Sequence, residues 1–314
     1  METMEITSKP PIDTTPLVLV IGKFDGIHKG HQAVLRAAGE KVGNADKLAV
    51  MSFSEPPLWV LTGKTEYKHC ITTEKDKIHL FQQFGVDRYY RISFTKDYAE
   101  TTPEEFVFDH LARLNIKHIV IGEDFRFGKG GNAGAEELVR LCKDIKIDVS
   151  IVPLIKQNGE KISSKTIRQL IKQGLMEPAN SLLGRPFTMT GKVVHGEKVG
   201  RRLGFPTINL GSDDSYVPPK PGVYLGTVCI SDHQKYEQYW NVLISAGYRP
   251  TVNGNGYLVE GHLLNFSGDL YGKEAAVSFL RYMREEIKFT DLEALREQME
   301  KDKRDAEKLL GMNS

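Results

Sequence analysis

The sequence predicts an α/β protein in two parts: a parallel sheet with helices on both faces, then an antiparallel β-barrel or sandwich with a C-terminal helix. Three observations predict it. Up to about residue 180, short aliphatic runs alternate with helix-like stretches, as in a parallel sheet. After Leu183 the apolar residues fall in short runs separated by turn signals. The chain has 314 residues, too many for one ordinary small domain. The expected division gives domains 1–183 and 184–314.

Leu17–Ile21 is a continuous aliphatic run, as a buried parallel strand would be, and Gly22 ends it. A loop and a helix over His31–Glu40 follow, then a second strand over Leu48–Phe53. Thr73 caps a helix that Gly85 stops, and Val86–Ile92 reads as a strand. Thr102-Pro103-Glu104-Glu105 is a capping box with proline at the first helical position; its helix runs to about Leu114, and Lys117–Ile121 is the next strand. Ser163 or Ser164 caps a helix with the stripe Ile167, Leu170 and Ile171, ended by Gly174. In the second half, Gly211-Ser212-Asp213-Asp214, Pro218-Pro219-Lys220-Pro221-Gly222 and Gly254-Asn255-Gly256 separate the strands. A last helix opens on a capping box of Thr290 and Glu293, with Leu292, Leu295, Met299, Ala306 and Leu309 along one stripe.

Composition narrows the function classes. Hydrophobic residues are 40% and charged residues 26%, which excludes a disordered chain. Lys plus Arg is 42 against 41 for Asp plus Glu, so nothing indicates a general affinity for nucleic acid or anionic membranes. Cys70, Cys142 and Cys229 are far apart and odd in number, which fits reduced thiols in the cytoplasm. The polar start, Met1–Pro16, does not read as a signal peptide, and the longest apolar runs are strand-sized.

Three pieces of the first half carry chemistry. Gly22-Lys23-Phe24-Asp25-Gly26-Ile27-His28-Lys29-Gly30-His31 joins a buried strand to a helix, the place where α/β sheets bind ligands. Glycines there let backbone approach a phosphate, the helix start offers free N–H groups, and His28 and His31 can converge on one anion. Lys165 and Arg168 lie in the first turn of the Ser163–Ser164 helix, where cations oppose the helix dipole unless a polyphosphate binds. Gly122-Glu123-Asp124-Phe125-Arg126-Phe127-Gly128-Lys129-Gly130-Gly131 mixes aromatics, a cation and glycines and can hold a planar ring and a phosphate. Taken singly, each has a plainer alternative: a Gly-rich turn with solvated histidines, a solvated helix start, a mobile loop. Together they describe a nucleotide site suited to transfer at phosphorus, where catalysis is mostly positioning and charge neutralisation.

These motifs, GKFDGIHKGH, GEDFRFGKG and ISSKTIRQLIKQG in this order, resemble the N-terminal module of bacterial bifunctional riboflavin kinase/FAD synthetases, itself similar to the HxGH nucleotidyltransferases. The resemblance implies a Rossmann-like domain that adenylates FMN. It puts His28 and His31 at the ATP phosphates, with Gly22, Phe24, Asp25 and Gly30 in the nucleotide-binding loop. Asp124 would help position nucleotide or flavin, and Ser164 and Arg168 would bind phosphate. Two stretches depart from the family pattern. Phe53-Ser54-Glu55-Pro56-Pro57 stands where an acidic residue and Pro-His-Pro are usual, and Ser163-Ser164-Lys165 where Ser-Ser-Thr is usual.

The second half opens on a strand, a basic loop spaced by Gly196, Gly200 and Gly204 with Arg201, and a second strand, Phe205-Pro206-Thr207-Ile208-Asn209. Thr207 and Asn209 are two apart and face the same side. Their hydroxyl and amide oxygens suit a Mg²⁺ that keeps water and substrate phosphates. Gly200 and Gly204 would let the loop close over phosphates. Glu260 is a lone carboxylate in the apolar run Tyr257–Leu264, costly there unless paired or facing a site, and placed to take a proton from a hydroxyl. The plainer alternatives are a barrel hairpin with a solvated loop and an outward-facing glutamate. GFPTIN resembles the riboflavin kinase signature, usually Gly-Phe-Pro-Thr-Ala-Asn, and the resemblance continues through Val259-Glu260 and Gly268-Asp269-Leu270-Tyr271-Gly272. It implies a β-barrel riboflavin kinase in which Thr207 and Asn209 bind Mg²⁺ and ATP phosphates and Glu260 is the general base.

The expected function is a cytoplasmic flavin-coenzyme transferase acting on small molecules: ATP, riboflavin and FMN. Two alternatives stand beside it: a monofunctional enzyme with one active module, and a non-catalytic flavin- or nucleotide-binding regulator.

Overall fold

The computed structural model describes residues 1–195, 204–212, 215–231, 237–251 and 254–311. The chain forms two compact units, Met1–Ser164 and Lys165–Ser314.

The first unit is built on six parallel strands: β1 (Glu2–Ile6), β2 (Asp13–Ile21), β3 (Lys47–Phe53), β4 (Arg88–Ile92), β5 (Leu114–Gly122) and β8 (Asp148–Val152). Their order is β1-β4-β3-β2-β5-β8, so chain direction across the sheet reverses between β2 and β5. Two short strands, β6 (Arg126–Phe127) and β7 (Ala133–Gly134), pair in the loop after β5. Side chains alternate along β2: Leu17, Leu19 and Ile21 join one buried cluster with Ile119 and Leu138, while Val18 and Val20 join the other with Leu35 and Phe81. The helices α1 (Lys29–Gly39), α3 (Glu74–Gln83) and α5 (Ala135–Asp144) cover these faces. Thr73 caps α3 through a capping box with Asp76, and Gly85, at φ +75°, follows its end.

Three details differ from the expectation. The polar N-terminus forms edge strand β1, held to β4 by Arg88–Glu2 and Arg91–Glu5 ion pairs of 2.7 and 2.8 Å. The capping box at Thr102 is present, but α-geometry lasts only over α4 (Pro103–Glu105). A π turn (Phe106–His110) and a 3₁₀ turn (Leu111–Arg113) complete the helical segment, and Phe106, Val107, His110 and Leu111 are buried there. β5 therefore starts at Leu114, earlier than expected.

Arg88 also reaches Asp13, a buried carboxylate that accepts from Tyr90 Oη and, at 2.9 Å, from Thr15 N. Burial alone would raise this carboxyl, but the hydrogen bonds from Tyr90, Thr15 and Arg88 outweigh it and bring its pKa down to about 2. A lowered folded-state pKa stabilises the fold above the ordinary value of 3.8, and the gain is lost as pH falls through about 2. Asp13→Asn should therefore cost about 2 kcal/mol at neutral pH. Thermal unfolding should show the gap to wild type shrinking between pH 5 and pH 2; a constant gap would contradict this.

The second unit is a closed antiparallel barrel of β11 (Phe187–Val194), β12 (Thr207–Ser212), β13 (Gly222–Ser231), β14 (Glu237–Thr251), β15 (Gly254–Leu263) and β16 (Glu274–Arg284), in the order β11-β12-β15-β14-β13-β16. Closure leaves no open sheet edge. Phe187, Ile208, Val228, Ile244, Val259 and Phe279 are among its buried residues. Two helices precede it, α6 (Ser164–Lys172) and α7 (Met176–Leu183). Asn180 ties α7 to the barrel, donating to Phe279 O at 2.8 Å and accepting from Phe187 N at 2.7 Å. The compact units accordingly divide at 164/165, before α7, whereas the sequence placed the division at 183/184.

The C-terminal helix α8 (Leu292–Leu309) is capped by Asp291, whose Oδ1 accepts from Ala294 N at 2.9 Å. This corrects the expected Thr290–Glu293 box: Thr290 donates to Asp291, and Glu293 pairs with Arg296 at 2.9 Å. The expected apolar stripe is also modified. Leu292 and Leu309 are exposed, while Ala306 and Asp302 are buried, and Asp302 takes a bidentate bond from Arg284.

Candidate active sites

In an open α/β sheet, ligands bind beyond the strand C-termini where the strand order reverses. That point lies here between β2 and β5, and the expected residues of both following loops meet there. A cavity of about 550 Å³ is lined by Gly22, Phe24, His28, Gly30, His31, Asp124 and Ser164, a size ordinary for a small-molecule site.

His28 is the N-cap of α1, and its Nδ1 accepts from His31 N at 3.4 Å. The hydrogen of the neutral ring then sits on Nε2. The two imidazoles stack with centroids 3.7 Å apart and planes 17° from parallel. Gly30 makes the arrangement possible, since a Cβ there would lie 3.1 Å from the His28 ring. Burial pulls the His28 pKa down to about 4, against the opposing pull of Asp25 and Asp124. The ring is therefore neutral at pH 7 and offers a hydrogen-bond donor at the positive end of the helix dipole.

The loop is held under strain. Phe24 and Ile27 have φ of 51° and 39°, a region costly for a β-branched residue such as Ile27. Contacts outside the loop fix it: Gly26 N donates to Thr72 Oγ1 at 3.0 Å, Ile71 N donates to Asp25 Oδ1 at 2.8 Å, and Ser164 Oγ donates to Asp25 O at 2.8 Å. Asp25, expected to bind nucleotide, thus has its carboxylate engaged by Ile71, and it fastens the loop. Phe24 packs on Phe81 at 5.5 Å and is nearly fully buried, so core packing accounts for most of its surface.

Sequence reasoning missed several lining residues. Lys161, on the hairpin β9–β10 (Lys156–Gln157 and Glu160–Lys161), is ion-paired with Asp124. Phe53, Phe94 and Tyr98 form an aromatic wall, with centroids 5.0 and 6.0 Å apart, and Tyr98 Oη lies 3.2 Å from His110 Nδ1. Where the resembled family usually has Pro-His-Pro, Pro56 occupies the N-cap position of the short helix α2 (Pro57–Thr62) without a capping bond, and Pro57, Leu58 and Leu61 line the cavity with apolar surface. Arg168 belongs to the second unit, on α6, and is half-buried.

The second constellation lies on the barrel. Buried Ile208 and Leu210 alternate on β12 with half-buried Thr207 and Asn209. β15 runs antiparallel beside it, with Glu260 opposite Asn209 and His262 opposite Thr207. Residues directly opposite share a face, so four polar side chains gather on one patch of the barrel wall. Between Glu260 and His262 sits Gly261, where a Cβ would come within 2.9 Å of Val242 Cγ2. Burial lowers the His262 pKa. A hydroxyl and an amide oxygen are hard donors that leave most of an octahedron to water and phosphate, so Thr207 and Asn209 fit Mg²⁺. Gly204, at φ +84°, turns the chain into this strand. Gly200 and Arg201, also expected at the phosphates, lie outside the described residues.

Residues 11–166 match the FAD synthetase family and residues 183–310 the riboflavin kinase family. A bifunctional riboflavin kinase/FMN adenylyltransferase of Listeria monocytogenes is 36% identical over 290 residues, 92% of this chain and 90% of that protein. An FAD synthetase of the same organism is 42% identical over 224 residues, 71% of this chain and 86% of its own length. A crystal structure described as a macrolide-efflux protein from Streptococcus pneumoniae is 32% identical, with a TM-score of 0.86, over 97% of this chain and 98% of that one. Among the described residues no helix is long and apolar enough to cross a membrane. With both halves matched in order and the full-length relative aligned across nearly its whole length, this chain belongs to the bifunctional riboflavin kinase/FMN adenylyltransferase family.

Proposed function

We infer that this chain is a transferase that makes flavin coenzymes in two ATP-dependent steps. It phosphorylates riboflavin to FMN, then adenylates FMN to FAD and releases pyrophosphate. The observation that carries this reading is the presence of two separate polar constellations, the cavity beside His28 and His31 and the Thr207–Asn209–Glu260 patch, each on the half that matches the corresponding family. We assign adenylylation to residues 1–183 and phosphorylation to 184–314.

In the barrel, Glu260 would take the proton of the riboflavin 5′-hydroxyl as its oxygen attacks the γ-phosphorus of ATP and ADP leaves. Mg²⁺ held by Thr207 and Asn209 would neutralise charge on the phosphates. Asn209 lies opposite Glu260, so nucleotide and base would be presented on one face.

In the α/β unit, an FMN phosphate oxygen would attack the α-phosphorus of a second ATP as pyrophosphate leaves. His28, through Nε2–H, His31 and the first amides of α1 would hold the phosphates, with Ser164 beside them. Lys161 supplies a cation and is paired with Asp124 until the anion arrives. The wall of Phe53, Phe94 and Tyr98, with Leu58 and Leu61 of α2, suits a large planar ring. We place the enzyme in the cytoplasm, where the thiols of Cys70, Cys142 and Cys229, none of them in a disulfide, would stay reduced.

Label routing tests the assignment. With riboflavin and ATP labelled at the γ-phosphorus, both FMN and FAD should carry label. With ATP labelled at the α-phosphorus, only FAD should. Label from the α position in FMN, or FAD free of it, would refute the scheme.

A further inference from the structure

His262 belongs to the barrel constellation by position, yet its hydrogen bond turns it to a different task. Its Nδ1 lies 3.0 Å from the carbonyl oxygen of Pro206. A carbonyl only accepts, so Nδ1 carries a hydrogen and donates. The ring also meets Phe205 edge-on, with centroids 5.1 Å apart and planes at 65°. The imidazole thus grips two consecutive residues just before β12.

The grip falls where backbone pairing has not yet begun. The β12–β15 ladder starts at Thr207, and the β12–β11 ladder starts at Asn209. The Pro206 carbonyl and the Thr207 N–H belong to one planar peptide unit, so fixing the oxygen fixes the direction in which Thr207 enters the strand. Gly204, two residues earlier at φ +84°, takes the left-handed conformation that suits glycine. His262 sits directly opposite Thr207 and two residues beyond Glu260, so one strand carries both the base and the side chain that sets the opposing strand's first residue.

We propose that His262 is a positioning residue for riboflavin phosphorylation: it clamps the Pro206–Thr207 peptide so that Thr207 presents its hydroxyl to the nucleotide phosphates. The inference rests on the kinase reading of this barrel. It makes no use of Nε2, which distinguishes it from a role in proton transfer.

Three substitutions separate the possibilities. The amide nitrogen of asparagine can take the place of Nδ1, whereas that of glutamine reaches toward the place of Nε2. His262→Asn should keep most of the turnover. His262→Gln and His262→Ala should lose about 10- to 100-fold in kcat for FMN formation, the scale expected of a misplaced phosphate-binding group. Calorimetric titration with Mg·ADP should follow the same order, with wild type and His262→Asn binding alike and the other two at least several-fold weaker. FAD formation from supplied FMN should be unchanged in all three, as a check on the fold of the other unit. Activity in His262→Gln with loss in His262→Asn would assign the work to Nε2 and overturn the proposal. Wild-type behaviour of all three variants would overturn it too, as would equal loss in all three with unaltered Mg·ADP affinity. If wild type itself makes no FMN from riboflavin, the kinase reading fails, and the Mg·ADP titrations still decide whether His262 sets a nucleotide site.

Discussion

Glu260→Gln should lower riboflavin phosphorylation by about 10²-fold or more, the usual size of a general-base contribution, while leaving FAD formation from supplied FMN unchanged. Glutamine keeps the shape of the side chain and its place opposite Asn209 but cannot take the hydroxyl proton. Glu260 is half-buried on the wall of the barrel, with Val259 and Gly261 carrying the buried alternation, so the substitution leaves the core packing intact. Nearly unaltered kinase turnover would remove Glu260 from the role of base.

The adenylyl site should respond with comparable force and opposite selectivity. His28→Ala and His31→Ala should each reduce FAD formation from FMN by about 10²- to 10³-fold, the scale seen when a donor to developing negative charge is removed. Riboflavin phosphorylation should survive. His28 caps α1 and stacks on His31 at 3.7 Å, and in the proposed mechanism its Nε2–H would donate to a phosphate. His28→Asn keeps a capping side chain but loses the stack and the donor position. It should therefore approach the alanine variant in activity and wild type in melting temperature. A drop in both activities together with the melting temperature would make the histidines structural.

The parts of the fold that were legible in the sequence are those specified locally. The aliphatic run of β2, the Thr73 cap with Gly85 beyond the helix end, and the glycine-spaced turn into α1 are each written in a few consecutive residues. β1 was not legible, because its Glu2 and Glu5 become strand residues through Arg88 and Arg91, more than eighty positions away. The π turn at Phe106–His110 leaves no local mark that separates it from an α-helix; it sits where His110 meets Tyr98. Near the last helix, Thr290 and Asp291 are adjacent cap candidates, and the Thr290–Glu293 box pattern favoured the wrong one.

The same division holds at the sites. His28 and His31 were legible because a strand–glycine–helix junction dictates where they sit, and Ser164 because it opens the amphipathic helix α6. Asp25 could not be told from a ligand contact by sequence, since the amide that engages it belongs to Ile71. Lys161 meets Asp124 only through the hairpin turned at Asn158 and Gly159, whose φ values are 53° and 82°. His262 carried a usable signal: it lies two residues from Glu260 on a strand and so shares its face. What it grips, the carbonyl of Pro206, required the register of β12 against β15.

One chain carries both transfers on this reading, and the apolar surface of Pro57, Leu58 and Leu61, where the resembled family usually has an imidazole, makes the adenylyl step the one to test. The most direct measurement is chromatography of products from the intact protein with ATP and Mg²⁺, supplied with riboflavin in one reaction and with FMN in another. FMN followed by FAD is expected in the first, and FAD with equimolar pyrophosphate in the second. FMN accumulating in the first reaction with no FAD in the second would contradict it and leave a kinase alone.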